Sequence, residues 1–282
     1  MHENEVLVEE SVVRRLLADQ LPDLAHLPLT RLPPTGTDNL IYRLGDELSV
    51  RLPRIDWAVE QIALDHAWLP RIAPSLPVPI STPVAVGEPG HGYPYPWAVH
   101  RWLPGANPER GDHPALAEDL GAFVVALRQL TDGPPSSRSG PLSTRDTVFR
   151  ESLAMLADEY DVASVTALWE DCLAVPEHDG PSVWRHADLI ATNLLATAGR
   201  LAAVIDFGPS GLGDPAVDLM PAWATFDGRA REAFRDTAWI DEAAWERARG
   251  WALSVAVIAL AYYRDTSAEI ANGSRRTIDA VL

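Results

Sequence analysis

Turn residues cut the first hundred residues of this chain into short β-like runs, whereas the remainder carries long helical patterns. The runs predict strands at 27–32, 40–44, 48–52, 84–87 and 95–103, and apolar residues at helical spacing predict helices at 5–19 and 54–72. After residue 103 the patterns predict helices at 114–130, 146–157 and 162–174, a β-rich insert at 182–206, and helices to the C-terminus. We therefore expect an α+β chain with a lobe boundary at about residue 103.

The charge balance bears on which partners the chain can bind. The formal net charge is −17, and all 23 basic residues are arginines. A field of that sign repels nucleic acid and anionic membranes and favours cationic small molecules, although genome composition or a salty habitat explains the same balance. The single Cys172 excludes an intramolecular disulfide. The N-terminus lacks a signal-peptide pattern, and the apolar stretch 251–263 is too short to span a bilayer, so we expect a cytoplasmic protein.

Polar residues in the segment 184–220 occur in an order that can build an oxygen-rich site. His186 and Asp188 are followed by Asn193 and, after an apolar hairpin, by Asp206. Because the hairpin folds the chain back on itself, the side chains of Asp188, Asn193 and Asp206 can lie close together. Asn and Asp are hard oxygen ligands suited to Mg²⁺, an ion that usually shares its coordination with substrate phosphates. Asp188 would then receive a proton from a hydroxyl nucleophile, or aim it.

The run H-x-D-x4-N followed by D-F-G resembles the catalytic and metal loops of the protein-kinase-like fold. The run GLGDPAVDL at 211–219 is similar to the aminoglycoside phosphotransferase family of that fold. The likeness extends to GTDNLIYRLGDELSVRLPR, WLPRIAP, YPWAVHRWLPG and WALSVAVIALAYYRDT, and so covers nearly the whole chain. It implies a small nucleotide-binding N-lobe with an antiparallel sheet and a helix (1–102), and a larger, mainly helical C-lobe for catalysis and substrate binding (103–282).

The resemblance also assigns roles in the catalytic segment. Asp188 matches the catalytic aspartate, and Asn193 and Asp206 match the Mg²⁺ ligands. His186 matches the histidine that braces the catalytic loop, and Asp218 would accept hydrogen bonds from the backbone of that loop.

Further assignments concern the nucleotide, which is either ATP or GTP. Arg51 stands where a lysine usually contacts the α- and β-phosphates, and its helix partner is either Asp65 or Glu60. The resemblance also implies a loop over the phosphates, formed by Gly36, Thr37, Asp38 and Asn39. The backbone around His100 and Trp102 would form hydrogen bonds with the edge of the base.

Three positions depart from the family pattern. Arg51 replaces the lysine with a bulkier planar fork that binds phosphate oxygens bidentately. Ala187 stands where the family commonly has glycine, and its Cβ would be strained if the site requires a positive φ. Ala191 stands where some aminoglycoside-modifying members have an aspartate, which weakens an aminoglycoside assignment.

Together these features predict transfer of the γ-phosphate of a nucleoside triphosphate to a hydroxyl of a small molecule. The resemblance implies an antibiotic acceptor of the aminoglycoside, macrolide or cationic peptide type, and thus resistance. The same fold serves choline and homoserine kinases, so a metabolite acceptor is an alternative. A nucleotide-binding scaffold with a degraded site is a second alternative, and a metal hydrolase using His186 and Asp188 is a third. The sequence does not fix the oligomeric state.

Overall fold

The computed structural model describes residues 6, 8–32, 39–138 and 140–282. The predicted phosphate-loop residues Gly36, Thr37 and Asp38 lie outside the described residues. The chain divides into two compact units. Unit 1 comprises Met1–Pro104 and Ala203–Gly208, and unit 2 comprises Gly105–Ala202 and Pro209–Leu282. The sequence boundary at about residue 103 falls near the end of the first segment, but unit 1 also takes in six later residues, among them Asp206.

A five-stranded antiparallel sheet forms the framework of unit 1. Its strands are β1 (Leu29–Arg31), β2 (Asn39–Leu44), β3 (Leu48–Pro53), β4 (Pro83–Gly87) and β5 (Trp97–Arg101), in the spatial order β1-β2-β3-β5-β4. A tight turn joins β2 to β3, and Gly45 occupies its left-handed position with φ of 58°. Side chains with a Cβ pay a steric cost in that conformation, which explains the glycine. The five predicted strands are thus confirmed: β1 and β5 are shorter than predicted, and β2, β3 and β4 are each one residue longer.

Helix α1 (Glu10–Gln20) covers one face of this sheet. Its Val13, Leu16 and Leu17 are fully buried in a cluster with Tyr42 and Trp97. Burying each such aliphatic side chain contributes about 2 kcal/mol, which holds the helix on the sheet. Successive residues of a strand point to opposite faces of the sheet. Val50 and Leu52 of β3 are buried in this cluster, so Arg51, which lies between them, points to the opposite face. Arg51 is the predicted phosphate contact.

Helix α2 (Val59–Ile72) and residues 203–208 complete unit 1. Hydrogen bonds attach residues 203–208 to the rest of this unit. The backbone N–H of Val204 donates to the carbonyl of Pro79 at 3.1 Å, and Nε2 of Gln61 in α2 donates to the carbonyl of Phe207 at 3.2 Å. These bonds place Asp206 in the same unit as β3 and α2.

Unit 2 is mainly helical. Its described helices are α3 (Pro114–Leu127), α4 (Asp146–Ala154), α5 (Val162–Ala174), α6 (Pro221–Ala224), α7 (Gly228–Ala238), α8 (Glu242–Tyr263) and α9 (Ala268–Val281). Helix α8 is buried on most of its circumference and packs against α4, α5 and α9, as expected for an element apolar all round. Its N-terminus is capped by Asp241, which accepts a hydrogen bond from the N–H of Ala244 at 2.8 Å.

Two short strand pairs frame the segment that carries the sequence motif. Strand β6 (Val183–Arg185) pairs antiparallel with β9 (Gly211–Gly213), and β7 (Leu194–Thr197) pairs with β8 (Arg200–Val204). The motif residues 186–193 therefore connect a strand of one pair to a strand of the other. None of the described helices is both long enough and apolar enough to cross a membrane.

Candidate active site

A buried carboxylate shapes the loop that follows β6. Asp218 accepts hydrogen bonds from the backbone N–H groups of His186 and Ala187, both at 2.7 Å. It lies in a 3₁₀ helix, Pro215–Leu219, whose N-terminus is capped by Asp214 through the N–H of Ala216 at 3.0 Å. The two hydrogen bonds to Asp218 are the ones predicted between this residue and the backbone of the loop. Burial raises the pKa of Asp218 in spite of the donors that surround it.

Ala187 adopts the left-handed conformation that the braced loop imposes. Its φ is 65°, the region that glycine enters without steric cost. For an alanine this conformation costs roughly 1–2 kcal/mol. The loop therefore carries the strain that the substitution of alanine for glycine implies, and the double hydrogen bond to Asp218 maintains it.

Changing Ala187→Gly tests this strain. Loss of the buried methyl group costs about 1 kcal/mol, and relief of the left-handed backbone returns about as much, so we expect a free energy of unfolding within about 0.5 kcal/mol of the original. The control is Ala248→Gly in α8, a buried helical alanine, for which we expect a loss of roughly 2 kcal/mol. Chemical denaturation measures both. Equal losses in the two variants would mean that Ala187 is not strained.

Asp188 and Asn193 lie together, as the motif predicts. The side-chain Nδ2 of Asn193 donates to Oδ2 of Asp188 at 3.0 Å and to the backbone carbonyl of Asp188 at 2.9 Å. The backbone N–H of Asp188 in turn donates to Nδ1 of His186 at 3.3 Å. Because the nitrogen of the Asn193 amide is committed to Asp188, its oxygen is the atom that a metal ion would take.

Arg138 contacts the same carboxylate and was not foreseen from the sequence. Its Nη1 donates to Oδ1 of Asp188 at 2.9 Å and to the carbonyl of Ala187 at 2.6 Å. Both carboxylate oxygens of Asp188 therefore accept a hydrogen bond from this unit. Arg138 stands in a segment rich in glycine, proline and serine, fifty residues before its partner. No spacing rule could have linked the two positions.

In unit 1 the structure brings three of the predicted residues around the guanidinium of a fourth, Arg51. Arg51 forms ion pairs with Asp206 at 2.9 Å and with Asp65 at 3.6 Å. The side-chain amide of Asn39, turned so that its oxygen faces Arg51, accepts hydrogen bonds at 3.0 and 3.2 Å. Of the two helix acids that the sequence left open, the structure places Asp65 against Arg51, whereas Glu60 is an exposed residue of α2.

Asp65 is almost fully buried, with 2% of its side chain exposed. Burial raises the pKa of Asp65 to about 6, and the positive charge of Arg51 only partly opposes that rise. The Asp65 carboxyl group thus lies near Arg51 in surroundings that destabilise its ionised form.

The Asp65→Asn variant is expected to gain stability relative to the original chain as pH rises from 4 to 7. Since the folded pKa lies above the unfolded value of 3.8, the folded chain binds more protons between these values, so the original chain loses stability as pH rises from about 3.8 to about 6 and loses no more above that. The difference in unfolding free energy should be near zero at pH 4 and reach at most about 3 kcal/mol at pH 7.

Thermal unfolding at both pH values, with EDTA present, measures this difference, and Glu60→Gln is the exposed control. A deficit of the Asp65→Asn variant that grows with pH would contradict the sign. We also expect weaker nucleotide binding, because Arg51 loses the carboxylate of Asp65.

His100 and Trp102 stand at the end of β5. The side chain of His100 is buried, and burial together with the charge of Arg51 lowers its pKa to about 4, so the imidazole is neutral at pH 7. The N–H of Trp102 donates to the carbonyl of Glu47 at 2.7 Å, and Arg43 stacks on its ring at 4.1 Å. The Trp102 N–H is thus engaged within unit 1, and a base edge would have to use other backbone groups of this segment.

Carboxylate and amide oxygens suit a hard divalent cation that shares its coordination with phosphate. Among the residues that the structure describes, no three His, Cys, Asp or Glu side chains are grouped so that they could hold a metal. A pair made of one amide and one carboxylate, as predicted for Asn193 and Asp206, is not a group of that kind and needs phosphate oxygens to complete it. Half of the Asp206 side chain is exposed, so its carboxylate is accessible in addition to its contact with Arg51.

The model of the phosphotransferase enzyme family matches residues 30–251, which include the catalytic segment 184–220. The chain belongs to the phosphotransferase enzyme family. This match confirms the recognition made from the motifs, and with it the assignment as a phosphotransferase. Among curated proteins, no sequence matches the chain significantly.

Solved structures show the fold of this phosphotransferase. The GDP complex of aminoglycoside 2′-phosphotransferase-IIIa superposes with a TM-score of 0.75 at 15% identity, covering 97% of this chain and 98% of that one. The macrolide 2′-phosphotransferase of Brachybacterium faecium gives 0.63 at 20% identity, covering 96% and 98%. The streptomycin–ATP complex of APH(2″)-IIa gives 0.60 at 16%, covering 97% of each chain. The predicted protein-kinase-like α+β fold is thereby confirmed.

Proposed function

We propose that this phosphotransferase moves the γ-phosphoryl group of ATP or GTP to a hydroxyl group of a small molecule. The observation that carries the proposal is the way in which the position and orientation of the Asp188 carboxylate are fixed. Its loop is fixed by Asp218, and its carboxylate is oriented by Asn193 within the motif order of the family. Family membership supports the reaction type, and the geometry supports the assignment of the reacting group.

In the proposed step, the oxygen of the acceptor hydroxyl forms a bond to the γ-phosphorus while the bond from that phosphorus to the β–γ bridging oxygen breaks. The leaving group is the nucleoside diphosphate, and the hydroxyl proton passes to the Asp188 carboxylate and then to solvent. Because the transition state of phosphoryl transfer is loose, aiming the hydroxyl contributes more than strong base chemistry. A carboxylate held by two hydrogen-bond donors suits that task.

Arg51 is proposed to bind the phosphates of the nucleotide. Its guanidinium is held by Asp65, whose burial leaves it little freedom. A planar guanidinium can bind two phosphate oxygens at once, unlike an ammonium group. Asn193 and Asp206 are proposed to hold Mg²⁺, which when bound would neutralise negative charge on the phosphates. Solved structures of similar fold carry GDP, ADP and ATP, in line with either nucleotide here.

The proposed acceptor is an antibiotic with a free hydroxyl group. Structures of similar fold bind kanamycin, gentamicin and streptomycin, and others are macrolide phosphotransferases. A metabolite kinase is the alternative that keeps the same chemistry and changes only the acceptor. A catalytically weak scaffold would bind nucleotide and transfer nothing. The intact set of Asp188, Asn193 and Asp206 favours an enzyme over a scaffold.

The experiment measures release of nucleoside diphosphate from ATP and from GTP, with Mg²⁺ present, across aminoglycosides, macrolides, cationic peptide antibiotics and amino-alcohol metabolites. Asp188→Ala is the inactive control. We expect release that depends on one acceptor class and disappears in the control. Nucleotide binding without release for any acceptor would favour the scaffold, and absence of nucleotide binding would contradict the proposal.

A further inference from the structure

The contact between Arg138 and Asp188 is fixed by a segment anchored at several points. Strand β9 holds the chain just before Arg138, since Leu212 exchanges backbone hydrogen bonds with Pro134 and Ser136 at 2.8 and 3.1 Å. A Cβ at Gly211 would lie within 2.7 Å of these two residues, which explains the glycine there. The chain needs this close approach to bring residue 138 toward the catalytic loop.

Two further contacts fix Arg138 itself. Its backbone N–H donates to Oγ of Ser136 at 3.2 Å, and its carbonyl accepts from Nη2 of Arg185 at 2.6 Å. The Arg185 side chain is fully buried, and its Nη1 donates to the carbonyl of Asp214. Backbone and side chain of Arg138 are thus both held, so the ion pair with Asp188 does not rest on a freely moving surface arginine.

The charges around Asp188 bear on what can approach it. Asp188 is the only carboxylate in the segment 186–193, and Arg138 pairs with it. About a third of the Arg138 side chain remains exposed beside it. Arg145 is a second arginine nearby. Burial lowers the pKa of Arg145, and the positive charge of Arg138 lowers it further. These arginines therefore offset part of the negative charge around Asp188, which includes the buried Asp218 bonded to the loop backbone.

We propose that Arg138 is a positioning residue for Asp188 and that it selects acceptors with no more than one positive charge. The inference rests on the proposed function and refines its acceptor class. An ammonium group near the reacting hydroxyl would face the guanidinium of Arg138 and find no unpaired carboxylate in the loop, which disfavours polyamines. A hydroxyl on a neutral molecule meets no such repulsion, and a molecule with a single amine, such as a macrolide, meets less of it than a polyamine does.

The test compares Arg138→Gln and Arg138→Lys with the original chain, using a macrolide with one amine and kanamycin as acceptors. Arg150→Gln is the matched control, because it removes the same charge from unit 2 at a side chain that pairs with Asp146 and Glu170 instead of the loop. For the macrolide we expect Arg138→Gln to lower kcat by about 10- to 100-fold with KM changed by less than about threefold, the range of one charge-assisted hydrogen bond.

The Arg138→Lys variant should recover about half of the loss in kcat on a logarithmic scale, because lysine keeps the positive charge but lacks the planar guanidinium. The ratio of kcat/KM for kanamycin to that for the macrolide should rise at least about tenfold in Arg138→Gln and stay unchanged in Arg150→Gln. Equal behaviour of the two glutamine variants, or an equal loss with both acceptors that lysine does not rescue, would overturn the proposal. Thermal unfolding shows whether a variant is folded. If Arg138→Gln is misfolded, Arg138→Lys is compared with the original chain instead.

Failure of the proposed function gives a different result. If neither acceptor is turned over, the same variants are compared on the slow Mg²⁺-dependent hydrolysis of the nucleotide, with water as the acceptor. A loss in Arg138→Gln that lysine rescues supports the positioning role, and no change overturns it. If Asp188→Ala leaves both reactions intact, Asp188 does not carry the reaction, and the role of Arg138 falls with the proposed function.

Discussion

Replacing Asp188 with alanine is expected to lower turnover by about 10²- to 10⁴-fold while nucleotide affinity changes little. The acceptor hydroxyl loses both its proton acceptor and the group that aims it. In addition, the substitution leaves Nδ2 of Asn193 and the guanidinium of Arg138 without the carboxylate that they share. The loss should appear in kcat, because the interaction matters mostly in the transition state.

Acceptor-dependent release of nucleoside diphosphate measures kcat and KM, and the thermal shift produced by Mg²⁺-nucleotide measures affinity independently of turnover. Asp158→Ala serves as the control, since Asp158 is an exposed carboxylate of unit 2 that pairs with Arg264. It should leave all three quantities unchanged. Turnover of Asp188→Ala within about threefold of the original would show that another group performs the proposed role.

The catalytic loop was predictable because its information is local. His186, Asp188 and Asn193 lie within eight residues, and a short loop between two strands keeps such neighbours close in space. The cap by Asp214 is local in the same sense, because the proline that follows marks the start of a helix. The elements themselves were predictable from periodicity, since buried residues recur with the period of the helix or strand that buries them.

Contacts that depend on the relative placement of distant segments were not predictable. Asp65 and Glu60 are both acids of α2, and only the seating of that helix decides that Asp65 is buried against Arg51. Arg138 reaches Asp188 because backbone hydrogen bonds tie its segment to β9, and such bonds leave no side-chain signature. The same holds for Asp206, because its neighbours Val204 and Phe207 join unit 1 through their backbone groups, which bond to the carbonyl of Pro79 and to the side-chain amide of Gln61.

Changing Asp218→Asn is expected to cost roughly 3–5 kcal/mol of stability, the largest effect of any isosteric change considered for this chain. The two carboxylate oxygens accept from two backbone N–H groups, and an amide offers only one oxygen. One buried N–H would therefore face an NH₂ group, and the buried Arg185, whose charge interacts with Asp218, would lose a carboxylate nearby. For a chain of this size we expect the Tm to fall by roughly 5–15 °C.

The matched control is Asp19→Asn, an exposed carboxylate that pairs with His91, for which the loss should stay below about 1 kcal/mol. Differential scanning calorimetry of both variants gives the comparison. Because Asp218 also holds Ala187 in its left-handed conformation, turnover of Asp218→Asn at a temperature where it remains folded should fall as well. Stability lost with full turnover retained would mean that the loop keeps its shape without Asp218, and the left-handed conformation of Ala187 would then have to arise from the loop sequence itself.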